Sequence, residues 1–406
     1  MYKLTIIAFI ATAFSANAQG YQVNLQGQKQ QGMGGAGAAL PLDAAAVFFN
    51  PASISFLKNS SINLGFTPTF ANTLYTDKAS NEIGRTNSPM GTPFSAYGVY
   101  RKSEESMFYF GLGVYTPFGS TIQYEDEWIG RFALTRLQLK NIFIQPTMSF
   151  KMSDKVSIGA GFVYSTGSVN LQKDIPVQFS DGTYGSAELS GKAQGFGYNV
   201  GFYINATEKL SIGVTYRSQV NMAVKDGKAE FTVPQSLASN FPNGSFTSSL
   251  PLPQVLTIAG GYKVNNQLAL ALDVNYVSWT AYDTLSFDYD KNTASLVDTR
   301  SPRNYKNTFS FRLGGEYKIT EQFQARLGFA YCLTPVQDGY VTPETPDANR
   351  INYTLGLGYL FGEHFGVDAS LLFTHLERTD KNLETNLEGT YKTNVLAPGI
   401  SVYYQF

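Results

Sequence analysis

Few residues in this sequence are equipped for covalent or metal chemistry. Histidine occurs twice, at His364 and His375, and cysteine once, at Cys332. A catalytic zinc site draws on His-Glu-x-x-His or a comparable cluster, and a serine nucleophile elbow on Gly-x-Ser-x-Gly. Neither spacing occurs. Cys332 has no second cysteine to pair with inside the chain. Gly32-x-Gly34-x-x-Gly37 matches a dinucleotide fingerprint letter for letter. That loop works only between a hydrophobic strand and a helix, where it presents the helix N-terminus to a pyrophosphate. Here Gln26-Gly-Gln-Lys-Gln-Gln31 precedes it and strands follow. We therefore expect no catalytic residue, no metal and no cofactor. Thirty basic residues balance 31 acidic ones, for a net charge of −1. No basic run offers a track for a phosphate backbone, so nucleic acid is not an expected partner.

The elements that carry these residues are strands. Charged residues are 15% of the chain, against roughly 25% in soluble domains. Aromatic residues reach 14%, nearly all Tyr and Phe, while the mean hydropathy is only −0.14. Such a chain suits a barrel with one lipid face and one wet face. Period-two alternation supports this. Phe196, Tyr198, Val200, Phe202 and Ile204 share one face, and Gly197, Asn199, Gly201 and Tyr203 the other. The pattern recurs near 107–115, 268–276, 309–317 and 353–361. Fourteen strands are expected, near 61–71, 93–102, 107–116, 138–151, 156–173, 192–206, 209–221, 252–264, 268–287, 305–319, 322–334, 351–361, 365–378 and 391–406. The same parity turns Arg312, Arg326, Asp273, Glu316 and Asp368 inward, as a salt-bridged, hydrated interior. It also predicts that arginine at Phe202 or Leu270 harms assembly, and that Gly201→Ser and Ala271→Ser are mild.

The connections alternate in length. Short turns such as Ser153-Asp-Lys155, Asn265-Asn266 and Thr320-Glu321 alternate with connections of about a dozen to thirty residues. An outer-membrane barrel has this arrangement, with short periplasmic turns and long outer loops. The first 18 residues read as a signal peptide. Lys3 is followed by an apolar stretch at 4–14, too short to span a bilayer, and by Ala16-Asn17-Ala18. Cleavage is expected after Ala18. Residues 60–406 are read as the barrel and 19–59, rich in Gly and Ala, as a hatch plugging a lumen too wide for side chains to fill. The last strand alternates Ile400, Val402, Tyr404 and Phe406, resembling the terminal signal shown to the barrel assembly machinery. The outer loop at 117–137 is expected to expose Trp128, Ile129, Phe132 and Leu134, with Arg131, as a patch that captures ligand.

Further motifs carry a family resemblance. Asn50-Pro51-Ala52 closes a Gly/Ala-rich segment that opens Gly20-Tyr21-Gln22-Val23. Thr116-Pro-Phe-Gly119, Trp128-Ile-Gly-Arg131, Gln145-Pro146, Val277-Ser-Trp279, Arg312-Leu-Gly-Gly-Glu-Tyr317 and Pro346-Asp-Ala-Asn-Arg350 follow in order. Together they resemble the FadL-type outer-membrane transporters of long-chain fatty acids and other hydrophobic compounds. The resemblance implies a bacterial outer-membrane barrel of fourteen strands, plugged by a hatch that contains Asn50, Pro51 and Ala52. It places a lateral gate at Pro117, Phe118 and Gly119, where a strand kinks. It implies ligand contacts from Tyr21 and from Lys173, a basic residue facing a carboxylate. The family's second basic position falls on Ser301, a departure, with Arg300 and Arg303 beside it. The expected activity is passive uptake of a hydrophobic small molecule, most simply a long-chain fatty acid. An aromatic hydrocarbon and an adhesin or receptor barrel without transport are the alternatives. The expected surroundings are outer-membrane lipid, and the expected state is a monomer. Asn50 is expected to satisfy backbone groups freed at the kink.

Overall fold

The computed structural model describes residues 20–406, so the leader expected at 1–18 lies outside the described residues. The wall is one antiparallel ring of fourteen strands. In chain order these are β1 (Ser61–Phe66 and Phe70–Asp77), β2 (Ile83–Arg85 and Phe94–Arg101), β3 (Phe108–Tyr115 and Gly119–Gln123) and β4 (Arg136–Lys151). Then come β5 (Val156–Gln178), β6 (Tyr184–Asn205), β7 (Leu210–Arg217 and Val220–Thr232) and β8 (Gly244–Leu252 and Val255–Lys263). The rest are β9 (Leu268–Val277 and Thr284–Tyr289), β10 (Thr299–Pro302 and Thr308–Lys318), β11 (Phe323–Cys332), β12 (Arg350–Phe361), β13 (Phe365–Lys381) and β14 (Glu388–Gln405). Each strand pairs with its sequence neighbours. The ring closes where β1 meets β14, from Ser61↔Gln405 to Phe66↔Ile400.

The alternation read from sequence is the alternation of the wall. Phe196, Tyr198, Val200 and Phe202 are exposed on the outside, as are Leu270, Leu272, Phe311, Leu313, Leu355 and Leu357. Such a belt is stable only against lipid, since water would meet it on every strand. The inward partners are small or polar. Asp273 and Arg312 are register partners, both buried. Arg326 bonds to Glu316 at 2.7 Å and to Asp368 at 2.7 Å.

Several strands run further than expected. β5 reaches Gln178 and β6 starts at Tyr184, so a tight hairpin replaces the long loop read at 174–191. The second segment of β7 and the first of β8 also extend a wall that the sequence reading ended near 221 and 252. The cause is a change of solvent. Beyond the lipid the outward face meets water, so Lys192, Lys228 and Glu230 replace the apolar rows by which the strands were recognised.

Residues 20–59 contain two short helices, α1 (Gln28–Gln31) and α2 (Ala46–Phe49), and a 3-10 turn at Ser53–Phe56. This segment is almost wholly buried against inward side chains of the wall. The Asp273 carboxylate accepts the Gly37 and Ala38 N–H groups at 3.0 and 3.1 Å, and Arg312 donates to the Gly35 carbonyl at 3.1 Å. The glycines read as a fingerprint serve this contact. Gly34 and Gly35 take positive φ, +72° and +79°, which other residues rarely adopt. A side chain on the facing Gly328 would overlap the Gly34 backbone.

Candidate functional site

The site begins where the wall fails. Below, β2 and β3 pair up to Ser95↔Tyr115; above, they meet again at Thr86↔Tyr124. Between these points Pro117 interrupts β3, and proline cannot donate to a ladder. The resulting opening is flanked by Pro89–Pro93 on one side and Pro117–Ile122 on the other, beside the exposed Phe94. The second half of β3 keeps its ladder with β4, Gly119 opposite Lys140.

Backbone groups freed by such a break cannot be left to lipid. The N-terminal segment takes them. Val23 N–H donates to the Pro117 carbonyl at 2.9 Å, and Gly119 N–H donates to the Tyr21 carbonyl at 3.2 Å. Gln26 Nε2 donates to the Thr116 carbonyl at 3.0 Å, and Gln22 bridges to Phe118. Asn50 does not, contrary to the sequence expectation. Its Nδ2 donates to the carbonyls of Ala38 (2.9 Å) and Phe202 (3.1 Å), and its Oδ1 accepts from Ala52 N–H at 3.0 Å. Pro51 and Ala52 follow it against Gly159 and Gly201, away from the break. The sequence located both motifs but not which partner each would find.

Two connected spaces adjoin the break. One, of about 90 Å³, is lined by apolar inward residues of β4–β9, among them Leu139, Leu171, Met222, Leu250 and Phe287. The second, of about 630 Å³ and so within the roughly 300–1,000 Å³ usual for small-molecule sites, runs along β1, β13 and β14 and reaches the opening through Met90, Phe94, Phe118 and Gly119. Tyr21, Ser120, Leu139, Asn141 and Glu344 line both. Tyr21 is buried, packs against Phe118, Trp279 and Tyr282, and donates its hydroxyl to the Pro251 carbonyl at 2.7 Å.

The expected cations do not converge on this cavity. Lys173 is exposed on the outer part of β5 and lies outside its lining. Arg300 is exposed and pairs with Asp288 at 3.4 Å. Arg303 is buried but holds Glu344 at 2.8 Å and Glu384 at 3.6 Å. Ser301 donates to Glu384 at 2.6 Å. The sequence reading missed Glu344 and Asn141, which carry no motif. Asn141 was legible only as the inward partner between Ile142 and Lys140.

The outer loop also differs from expectation. Trp128 and Leu134 are buried, because the loop packs on itself. Trp128 stacks on Tyr124 with centroids 3.8 Å apart, meets Tyr75 edge-on, and donates Nε1–H to the Leu134 carbonyl at 2.7 Å. Ile129 is partly buried against the same cluster. Only Phe132 reaches the surface, edge-on to Tyr184, with the Arg131 guanidinium over both rings at 5.0 Å.

The sequence matches the family described as "Outer membrane protein transport protein (OMPP1/FadL/TodX)" over residues 7–406. It is 23% identical to a long-chain fatty acid transport protein of Escherichia coli, covering 91% of this chain and 89% of that one. Among solved structures, a FadL homologue of Pseudomonas aeruginosa superposes with a TM-score of 0.83 at 20% identity, covering 96% of this chain and all of the other. The toluene transporter TbuX of Ralstonia pickettii superposes with a TM-score of 0.73 at 19% identity, covering 94% and 99%.

Proposed function

The chain belongs to this family of outer-membrane transport proteins, and from that membership we propose that it takes up hydrophobic small molecules passively, by lumenal binding and lateral release into lipid. As a member it is a transport barrel of the bacterial outer membrane and not an enzyme. One observation carries the proposed route: an apolar cavity that shares lining residues with a space ending at a break in the wall.

The energetics favour a side exit. Burial of a methylene is worth about 0.8 kcal/mol, so a sixteen-carbon tail gains about 13 kcal/mol before association costs. Leaving along a watery lumen forfeits that gain. Sliding out between Phe94 and Phe118 into lipid keeps the tail in apolar surroundings throughout. Residues 20–26 cover the break from inside, so the route requires them to yield; in this reading they are the moving part of the hatch.

Two ligand chemistries suit such a route: a long-tailed carboxylate, as in the relatives named for long-chain fatty acids, and a small uncharged ring, as in those named for toluene. The engagement of Arg303 by two carboxylates favours an uncharged ligand. The route is tested by Gly119→Arg. A side chain at Gly119 has open space around it apart from the Leu139 carbonyl, so the barrel accepts it while the opening is filled. Uptake of labelled hydrophobe should fall at least tenfold at unchanged surface levels. Undiminished uptake would refute lateral release.

A further inference from the structure

We propose that the lumenal cavity selects an uncharged hydrophobe bearing one hydrogen-bond donor, a long alcohol or an alkylphenol, and discriminates against carboxylates. This rests on the binding cavity proposed above and adds its chemistry. Only two charged residues line the cavity, Lys140 and Glu344. Lys140 lies opposite Gly119 and alternates with Leu139 and Asn141, so it shares the outward parity of Ile142 and is exposed. Glu344 is partly buried, and its partner Arg303 already faces a second carboxylate, Glu384. The charge nearest the cavity is therefore a carboxylate, held by a cation that is outnumbered.

The polar atoms of fixed character tell the same story. Ser248 donates to the Ser286 carbonyl at 2.7 Å, and the Tyr21 proton is committed to Pro251. The hydroxyls of Ser120, Ser168 and Tyr282 can donate or accept, and so do not discriminate. Asn141 does. It is 3% exposed, and its Oδ1 has no partner. Its orientation follows from its neighbours. Ser165 directs its proton to Met222 Sδ at 3.0 Å, so Ser165 Oγ is free to accept from Asn141 Nδ2 at 2.6 Å. The amide oxygen is left as an unpartnered acceptor in the wall of an apolar cavity. Buried acceptors are ordinarily satisfied, and a ligand hydroxyl would satisfy this one. A carboxylate would bring a third negative group and no donor.

The test uses the full mature chain in detergent and three probes with one tail: 4-octylphenol, octylbenzene and 4-octylbenzoate, at pH 8. Each displaces a fluorescent hydrophobe from the protein. The phenol should bind about tenfold tighter than octylbenzene, and the benzoate should be the weakest. Asn141→Leu should erase the tenfold advantage of the phenol over octylbenzene. Binding of the benzoate as tight as the phenol, or equal binding of all three, overturns the proposal. Failure of every probe to bind would instead refute the cavity itself. The wild-type ranking stands as a test even if the variant does not assemble.

Discussion

Gly201 and Phe202 are neighbours on β6 whose substitutions should fail in different ways. Gly201 faces the lumen, and any Cβ there would overlap Asn50 Oδ1 and come within 2.9 Å of Pro51 Cδ. Gly201→Val must displace Asn50, which then loses its bonds to Ala38 and Phe202 and frees the Ala52 N–H. A lost hydrogen bond costs about 1 kcal/mol, more where a buried group is orphaned. Overpacking adds about 1–3 kcal/mol. Together they oppose docking of residues 20–59 by about 4–6 kcal/mol, without touching the lipid face. Phe202→Arg instead exposes a cation to hydrocarbon, at a cost of about 2–4 kcal/mol to the wall. Heat-modified mobility on gels reads the barrel, and protease resistance of the N-terminal segment reads its docking. Gly201→Val should keep the mobility shift and lose the protection. Phe202→Arg should lower the folded fraction while the surviving barrels keep a protected segment. Identical behaviour of the two variants would refute the assignment of faces, and a fully protected segment in Gly201→Val would refute the docking geometry. The mild effect expected for Gly201→Ser from parity alone is withdrawn for the same reason.

Val23→Pro removes the N–H that holds the Pro117 carbonyl. The Gly119 amide, paired to Tyr21 in the same patch, should then exchange about tenfold faster by mass spectrometry, corresponding to a loss of roughly 1–2 kcal/mol. Trp128→Ala should cost the outer loop about 3–5 kcal/mol of packing and make 124–135 protease-sensitive while the barrel stays folded. Asp347, in the loop between β11 and β12, accepts Gly20 N–H at 2.8 Å and the Thr334 hydroxyl at 2.9 Å. Burial raises its pKa to about 6, against the opposing pull of Arg350. A carboxyl raised on docking contributes stability that is full below about pH 4 and lost as pH climbs through 6, by about 2–3 kcal/mol. Hydrogen exchange at Gly20–Leu25, corrected for intrinsic rates, should therefore be slower at pH 5 than at pH 8, and Asp347→Asn should flatten the difference. A wild-type profile without pH dependence would count against a buried carboxyl at this contact.

The sequence revealed most where one physical rule acted alone. Phe196, Tyr198, Val200 and Phe202 had to alternate with small residues because one face meets lipid, and the strand count followed from that. The reading failed where the rule changed or where partners lay far apart in the chain. Ala187 and Leu189 are inward-facing on β6 above the lipid, but Lys192 and Glu188 on the other face hide the strand from a search for greasy rows. Trp128 looked like a surface aromatic because nothing nearby announces Tyr75, which completes its pocket from β1. Arg303 looked like a free cation for the same reason, since Glu344 is 41 residues away.

The same distance problem explains why Asn50 and the strand break seemed to need each other. Both break a regular pattern, and both must have their polar groups satisfied, but hydrogen-bond demand does not say which supplier meets it. The structure divides the task. Asn50 ties the end of the buried segment to β6, on the wall that stays closed. Tyr21 to Gln26, at the beginning of that segment, pair with the break. One end is therefore held by side-chain bonds to an intact strand, and the other by three bonds to a broken one. If the segment moves during transport, it should yield at residues 20–26 first, because that end covers the break and already touches both the cavity and the opening through Tyr21.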